Sequence, residues 1–319
     1  MRVSGLSPDL SGVALDDVAE PRRSPGQMLV RMRAASLNYP DLLMTRGAYQ
    51  LKPSLPFVPG MEVAGDVIEA EPASGFVAGD RVVCGTRLGA FAEIVACDTS
   101  LARAIPARLD YAHAASIGVA YLTAYVALVR LGALATDDWV LVHGATGGVG
   151  LATVDLAQAL GARVIATSRS ANKLQVLADT YSPAATLPAP GFRDAVRDLT
   201  GGGADIVVDP VGGDVFDEST RCTAFGGRVL VVGFTSGRIA TLPTNIALIK
   251  GFSVTGVRAG EYARRFPRRG AENLDAVWTM AAEGRLRPRV HAIYRLAEWR
   301  EAFAAMAVSE HVGKIVLVP

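Results

Sequence analysis

Val140-Leu141-Val142-His143-Gly144-Ala145-Thr146-Gly147-Gly148-Val149-Gly150 is the stretch that decides the fold. It opens on an apolar β-type run and passes through a glycine loop. It continues into a segment whose Val149, Ala152, Leu156 and Leu160 share one helical face. A second β-branched run, Ala162 to Ser168, follows within about 30 residues, so strand, loop, helix and strand stand in the order of a dinucleotide-binding βαβ unit. Gly147 lets the backbone approach a pyrophosphate, Gly150 lets the helix lie close on the strand, and the helix N-terminus presents its unpaired N–H groups to the anion. The loop departs from G-x-G-x-x-G because Ala145 stands where the first glycine belongs.

Further along, the same texture repeats. Apolar runs at ADIVVDPVG, GRVLVVGF and SVTGV alternate with helical patterns that end near Ala178, run from Phe192 to Leu199, pass through Cys222 and surround Ile246. Continuous β-branched runs belong to strands covered on both faces, which predicts a doubly wound parallel sheet. Residues 179–191 are rich in Pro and Ala where a third strand belongs and give no readable pattern. Before the glycine loop, short runs such as Gln27 to Met32 and Val63 to Ile68 are bounded by turn residues and predict an irregular β-rich barrel. One short helix interrupts it between Asn38 and Arg46, started by Pro40-Asp41 and stopped by Gly47. After Gly256 the pattern turns helical over Glu272 to Glu283 and Leu296 to Val308, then closes with a strand at Lys314 to Pro319 that returns to the first domain. The fold class is therefore α/β, with a β-rich domain at 1–119 and 256–319 and a doubly wound domain at 120–255.

Composition agrees with two cores. The chain has 319 residues, half of them hydrophobic and a fifth charged, with 32 basic against 31 acidic side chains. Disorder, collagen and a disulfide scaffold are excluded, and a net charge of +1 leaves no footprint for nucleic acid. Cys84, Cys97 and Cys222 form no C-x-x-C pair and are expected as buried reduced thiols. The N-terminus has no apolar core of a signal peptide, and the longest apolar run, Ile117 to Val129, is shorter than the ~20 residues of a spanning helix. No membrane partner and a cytoplasmic location are expected.

The second strand of the βαβ unit discriminates between nicotinamide cofactors. An acid there would hold a ribose 2′-hydroxyl, but Thr167 is followed by Ser168-Arg169-Ser170, with Lys173 one turn on. Ser168, Arg169 and Lys173 suit a 2′-phosphate, with Arg fitted to its bidentate geometry, the alternative being that Arg169 and Lys173 are solvated helix-start residues. The expected cofactor is NADPH.

Seven motifs, taken in order, resemble the zinc-independent quinone oxidoreductase branch of the medium-chain dehydrogenase/reductase superfamily. They are SLNYPDLLMTRGAYQLKPSLPFVPGMEVAG (36–65), GDRV (79–82), AYLTAY (120–125), HGATGGVG (143–150), DPVGG (209–213), VVGFTSG (231–237) and GKIVLVP (313–319). The resemblance spans essentially the whole chain and implies a GroES-like catalytic domain, a Rossmann domain and a cleft between them. In zinc-dependent relatives a Cys and a His hold the metal in the stretches that here read Leu37-Asn38-Tyr39 and Gly60-Met61-Glu62. An amide and a thioether replace them, neither a usual zinc ligand, and a metal-free enzyme is expected.

Without a Lewis acid the reaction that fits is hydride addition to a quinone or another α,β-unsaturated carbonyl, with hydrogen-bond donors polarising the acceptor. By resemblance Asn38 donates its amide to the acceptor oxygen, or else serves as a helix N-cap. Tyr49, in the G-x-Y after Gly47, is the proton donor or a half-buried aromatic, and Thr123 places a hydroxyl near the nicotinamide. The loop residues Gly144, Ala145, Thr146, Gly147, Gly148, Val149 and Gly150 hold the pyrophosphate, Val211 and Gly212 also bind the cofactor, and Gly233 and Phe234 bring backbone to the nicotinamide. Lys314 closes over the adenosine phosphate end or is simply solvated ahead of the terminal strand, and Asp41 is a structural carboxylate.

Arg258, Arg264, Arg265, Arg268 and Arg269 form either a solvated face or a cation patch for a carboxylate or phosphate on the acceptor, such as a coenzyme A thioester. The alternative activities are therefore an enoyl thioester reductase and a non-catalytic NADPH-binding protein. The resemblance also implies a homodimer paired through the edge strand near Phe252 to Val257.

Overall fold

Gln27 to Leu37 alternates small and long apolar residues with charged ones, and in the computed structural model, which describes residues 1–319, it forms the central strand of the first unit. That unit begins with a short antiparallel pair, β1 (Arg2–Val3) and β2 (Val13–Ala14), and continues with β3 (Gln27–Leu37), α1 (Tyr39–Thr45), β4 (Glu62–Glu69), β5 (Arg81–Gly85), β6 (Ile94–Asp98), β7 (Ala102–Ala104) and α2 (Tyr111–Ala115). Met28, Val30 and Met32, at every second position of β3, point into a core shared with Val63, Val82 and Phe91. The chain then runs through α3 (Gly118–Tyr125) and a π-helical turn, Val126–Leu131.

The second unit alternates strand and helix. In order it contains β8 (Trp139–Val142), α4 (Gly148–Ala159), β9 (Arg163–Ser168), α5 (Ala171–Tyr181), β10 (Ala185–Pro188), α6 (Arg193–Thr200), β11 (Ala204–Asp209), α7 (Gly213–Ser219), β12 (Thr223–Val231), α8 (Thr244–Lys250) and β13 (Ser253–Gly256). Its six strands are all parallel in the order β10-β9-β8-β11-β12-β13. Succession runs outward from β8 on one side and restarts at β11 on the other, which makes the carboxyl ends of β8 and β11 the topological switch point. Val140, Leu141, Val142, Ile206, Val207 and Val208 are fully buried, as strands covered on both faces must be.

The chain closes with α9 (Ala259–Arg265), α10 (Pro267–Ala282), β14 (Val290–Arg295), α11 (Trp299–Val308) and β15 (Lys314–Val318). Strand β15 inserts between β14 and β3, giving a sheet ordered β14-β15-β3-β4-β5-β7 with β6 also on β3. Trp299, Ala302, Phe303 and Met306 line one face of α11 and are buried in the first unit's core. The Phe303 ring stands edge-on to Phe91 at 6.3 Å and to Trp299 at 6.0 Å. Burying Phe303 and Met306 contributes roughly 2–3 kcal/mol each.

Three boundaries differ from those read in the sequence. The third strand of the parallel sheet, β10, lies in the unreadable segment; it is a half-buried edge of four residues ending in Pro188, which an edge tolerates because no strand pairs with its outer side. Helix α7 ends at Ser219, so Cys222 sits in the turn before β12, where its thiol faces the Glu218 and Ser219 carbonyls. The units are Met1–Val119 with Pro288–Pro319, and Ala120–Arg287, so the return falls after Arg287 and not at residue 256. Helix α10 accounts for the difference: it buries Leu274, Val277 and Trp278, and its Asn273 side chain accepts a 2.7 Å bond from Arg130 Nε of the second unit.

One carboxylate gathers both ends of the second unit. Asp155, buried on α4, accepts bonds at Oδ2 from the Tyr121 hydroxyl at 2.7 Å and the Arg287 backbone N–H at 2.6 Å, and at Oδ1 from Arg287 Nε at 3.2 Å. Burial, with that carboxylate beside it, pushes the Tyr121 hydroxyl well above its ordinary range.

Candidate active site

The second unit's site starts at the β8 carboxyl end. Gly144 turns with φ +53°, and the loop is pinned by Ala145 N–H to Thr167 O at 3.0 Å and Gly147 N–H to Gly144 O at 2.9 Å. A Cβ on Gly150 would lie 2.2 Å from Gly144 O, so only glycine lets α4 seat this closely on the turn. At Gly147 a Cβ would meet only Gly144 O, at 3.4 Å, so the fold itself makes no demand there. Helix α4 has Gly147 as its N-cap, with no capping side chain and no acid in the first turn. Its first N–H groups therefore carry the helix's positive end with no side chain opposing it, which suits an anion.

Beneath the loop His143 is fully buried, with Nδ1 2.8 Å from Thr167 Oγ1 and Nε2 2.7 Å from Ser219 Oγ. Ser219 already donates to Val215 O, so it accepts from Nε2–H, and Nδ1 accepts from Thr167. Burial pushes this imidazole down to about 3, and it is neutral at physiological pH. The ring ties β8, β9 and α7 together under the switch point, a role the sequence signals only as a His closing an apolar strand.

At the end of β9 the hydroxyls of Ser168 and Thr146 lie 3.4 Å apart, both buried, while Arg169 is exposed with no carboxylate partner. Ser170 caps α5 by accepting from Lys173 N–H at 3.4 Å, and Lys173 is half-buried on the first turn. The structure thus brings Thr146 of the glycine loop beside Ser168.

Across the switch point, Asp209 Oδ1 accepts from Val211 N–H at 2.8 Å and Gly212 N–H at 2.9 Å, which fixes the turn after β11. That loop is zipped to the one after β12 by Val232 N–H to Asp209 O, Thr235 N–H to Pro210 O and Ser236 N–H to Val211 O. Val211, Gly212, Gly233 and Phe234 are thereby gathered at the same sheet end as Gly144, whose Cβ position is 3.3 Å from Val211 Cγ2. Asp209 was not singled out in the sequence. Its Oδ2 is buried without a partner, and burial raises its carboxyl above the usual range. Thr123, also in this unit, is half-buried on α3 just before the π-helical turn.

In the first unit Asn38 takes the second of its two expected roles, standing as the N-cap residue of α1, and not the first. Its amide donates to Glu62 Oε1 at 2.9 Å and to Ser36 O at 3.1 Å, and its Oδ1 accepts from Lys314 Nζ at 2.6 Å. Both amide hydrogens are used, so Asn38 does not have one to offer an acceptor oxygen. Lys314 departs from both of its expected roles: its ammonium is buried against Asn38 and Glu62, at 3.1 Å from Glu62 Oε1, and is not available to close over a phosphate. Asp41 is fully buried and accepts N–H bonds from Asn38 and Gly60 at 2.9 and 3.1 Å. Burial outweighs those bonds and raises its carboxyl to about 7. Tyr49 is half-buried against the core. Glu62 was missed; its signal was a buried-strand carboxylate directly before the apolar Val63-Ala64.

The arginine cluster is partly paired within its own two helices, with two carboxylates for its five guanidiniums. Arg264 and Arg265 share Glu261 at 2.9 and 2.8 Å, Arg268 pairs with Glu272 at 3.3 Å, and Arg269 lies over Phe266. The two guanidiniums hold the Glu261 carboxyl down to about 2. Pairs at i,i+3 and i,i+4 spacing such as these are the usual feature of a helix surface.

Residues 24–107 match the family model described as Alcohol dehydrogenase GroES-like domain, and residues 148–276 match that described as Zinc-binding dehydrogenase. The chain is 37% identical over 299 residues to the Quinone oxidoreductase-like protein 2 homolog of Nematostella vectensis, covering 91% of this chain and 81% of that protein. Among solved structures it is similar to the quinone oxidoreductase from Thermus thermophilus, solved also in its complex with NADPH, at TM-score 0.87 and 29% identity over 100% of both chains. It is similar also to mycobacterial Rv1454c complexed with NADPH, at TM-score 0.90 and 28% identity over 100% of this chain and 98% of that one.

Proposed function

This chain belongs to the quinone oxidoreductase family of the medium-chain dehydrogenases/reductases, and on that premise we propose that it is an NADPH-dependent, zinc-independent reductase of quinones or other α,β-unsaturated carbonyls. The observation that carries the cofactor choice is the end of β9: buried Ser168, exposed unpaired Arg169, Lys173 one turn on, and no acid on that turn. NADPH, when bound, supplies the hydride. The N–H groups at the start of α4 receive the pyrophosphate over Gly147, and Ser168, Arg169 and Lys173 receive the 2′-phosphate. The zipped loops at Val211, Gly212, Gly233 and Phe234 hold the nicotinamide end at the switch point, and the Thr123 hydroxyl orients it. Protonation of the reduced acceptor comes from Tyr49 or from solvent.

Zinc does not fit the residues present. Met61 offers a thioether, the Asn38 oxygen is taken by an ammonium, and no three His, Cys, Asp or Glu side chains assemble into a metal-holding group. Pairing through the outer edge of β13 is part of the same proposal. The sheet ends there unpartnered, and Phe225, Leu248 and Ile249 stand 88%, 82% and 74% exposed in the same unit.

Calorimetric titration tests the cofactor. The expected result is tighter binding of NADPH than NADH, with the preference reduced at least tenfold in Arg169→Glu; an unchanged preference in that variant refutes the reading of the β9 end. NADPH oxidation followed against a panel of quinones and a crotonyl thioester tests the acceptor. Turnover of the thioester alone makes this an enoyl thioester reductase, and turnover of neither makes it a binding protein.

A further inference from the structure

The loop after α1 holds a cation that nothing in the chain answers. Arg46 stands at the C-cap of that helix, half-buried, and its Nε is buried without a hydrogen-bond partner. From this we propose that Arg46 is an anion-binding residue that selects acceptors carrying a carboxylate, which rests on the reductase function above and names its acceptor class. Between Asp41 and Glu62 the chain has two cations, Arg46 and Lys52, and no acid. Asp41 is taken by the N–H groups of Asn38 and Gly60. Asp9, two residues beyond the Ser7 that bonds to the end of α1, accepts from Ser11 and not from Arg46.

The helix end does not explain the cation either. Basic side chains at a helix C-terminus ordinarily bond its open carbonyls, but here each of those already has a donor. Thr45 Oγ1 bonds Leu42 O and Ala48 N–H bonds Leu43 O, both at 2.8 Å, while Gly47 N–H bonds Met44 O at 3.1 Å and Ser7 N–H bonds Thr45 O at 3.2 Å. Lys52 closes the following turn by donating to Gly47 O. A buried donor left without an acceptor is unfavourable, and the one at Arg46 is relieved only by an acceptor from outside the chain. A planar anion with two oxygens matches the guanidinium fork, which makes a carboxylate the fitting group. Tyr49 stands three residues further on, its ring against the first unit's core and its hydroxyl without a partner in the chain. An acceptor held by its carboxylate at Arg46 is therefore anchored on the loop that carries the candidate proton donor, and it does not need the arginines of α9 and α10.

The test is NADPH oxidation with benzalacetone, a neutral enone, and with its para-carboxylate, joined by calorimetric titration of the para-carboxylate alone. The wild type is expected to have the lower KM for the carboxylate. Arg46→Met is expected to shrink that preference about tenfold, as loss of a charge-assisted bond does, and Arg46→Lys, which keeps the charge without the fork, to fall between. Arg265→Met is expected to keep the wild-type preference. A wild type that favours the neutral enone, a preference unchanged in Arg46→Met, or one lost in Arg265→Met instead overturns the proposal. Should Arg46→Met fold poorly, Arg46→Gln takes its place with the same two outcomes. If neither enone is turned over, that failure belongs to the function proposed above, and the titration decides the site by itself. Binding of the para-carboxylate by the wild type that weakens about tenfold in Arg46→Met supports the anion site, and equal binding or none overturns it.

Discussion

Acidification is expected to loosen the second unit through His143. The imidazole is neutral in the fold, with its pKa pushed from 6.5 down to about 3 by burial, whereas in the unfolded chain it titrates at its ordinary value. The stability it confers is complete above pH 6.5 and is lost as pH falls from 6.5 toward 3, because only the unfolded chain takes up the proton in that window. Each pH unit below 6.5 removes ~1.4 kcal/mol, so moving from pH 8 to pH 5 costs about 2 kcal/mol from this group. Asp41 acts with the opposite sign, since a carboxyl raised to about 7 favours the folded first unit as pH falls from 7 toward 4. The clean comparison is therefore wild type against His143→Gln, which does not titrate and keeps a donor for Ser219. Urea denaturation followed by intrinsic tryptophan fluorescence, to which Trp139 four residues away on β8 contributes, at pH 8, 6.5 and 5 gives the difference. The variant is expected to lose about 2 kcal/mol less than the wild type over that range. Parallel pH profiles for the two proteins would refute the reasoning.

The two glycines of the loop separate folding from binding: Gly150→Ala should lower Tm by several degrees and abolish NADPH uptake, while Gly147→Ala keeps Tm and still weakens binding at least tenfold, as calorimetry of both will show. Asp155→Ala leaves the Tyr121 hydroxyl and the Arg287 N–H without their acceptor, and should cost about 3 kcal/mol; a loss under ~1 kcal/mol in scanning calorimetry means the tie is idle. Val254→Arg on β13 should convert a dimer to a monomer in sedimentation velocity, and a chain already monomeric at micromolar concentration refutes the pairing proposed above.

Much of the parallel sheet was legible because buried strands are written as uninterrupted β-branched runs and the glycine loop has a fixed place among them. Strand β10 was not, since an edge strand needs neither apolar runs nor freedom from proline. The return after Arg287 was hidden for a different reason. Helix α10 has an ordinary amphipathic pattern, and nothing in it tells which of two cores its apolar face joins. In the site, the close seat of α4 on its turn could be read from Gly150, and the absence of an acid after β9 from Ser168-Arg169-Ser170, where residue type and short spacing suffice. Asn38, Glu62 and Lys314 could not, because their partnership links positions 276 and 252 residues apart and exists only once β15 lies beside β3.

The placement of β15 has a further consequence during synthesis. Its partner β3 leaves the ribosome long before Lys314–Val318 exists, and at ordinary elongation rates the wait is on the order of tens of seconds. Through that interval Ala35 to Leu37 present a bare ladder, and Glu62 has no countercharge. The uninterrupted stretch from Ala120 to Arg287 is fully translated first, so the later half of the polypeptide matures ahead of the earlier one. Nascent chains stalled before residue 314 should accordingly hold a protease-resistant dinucleotide module preceded by a stretch that chaperones recognise.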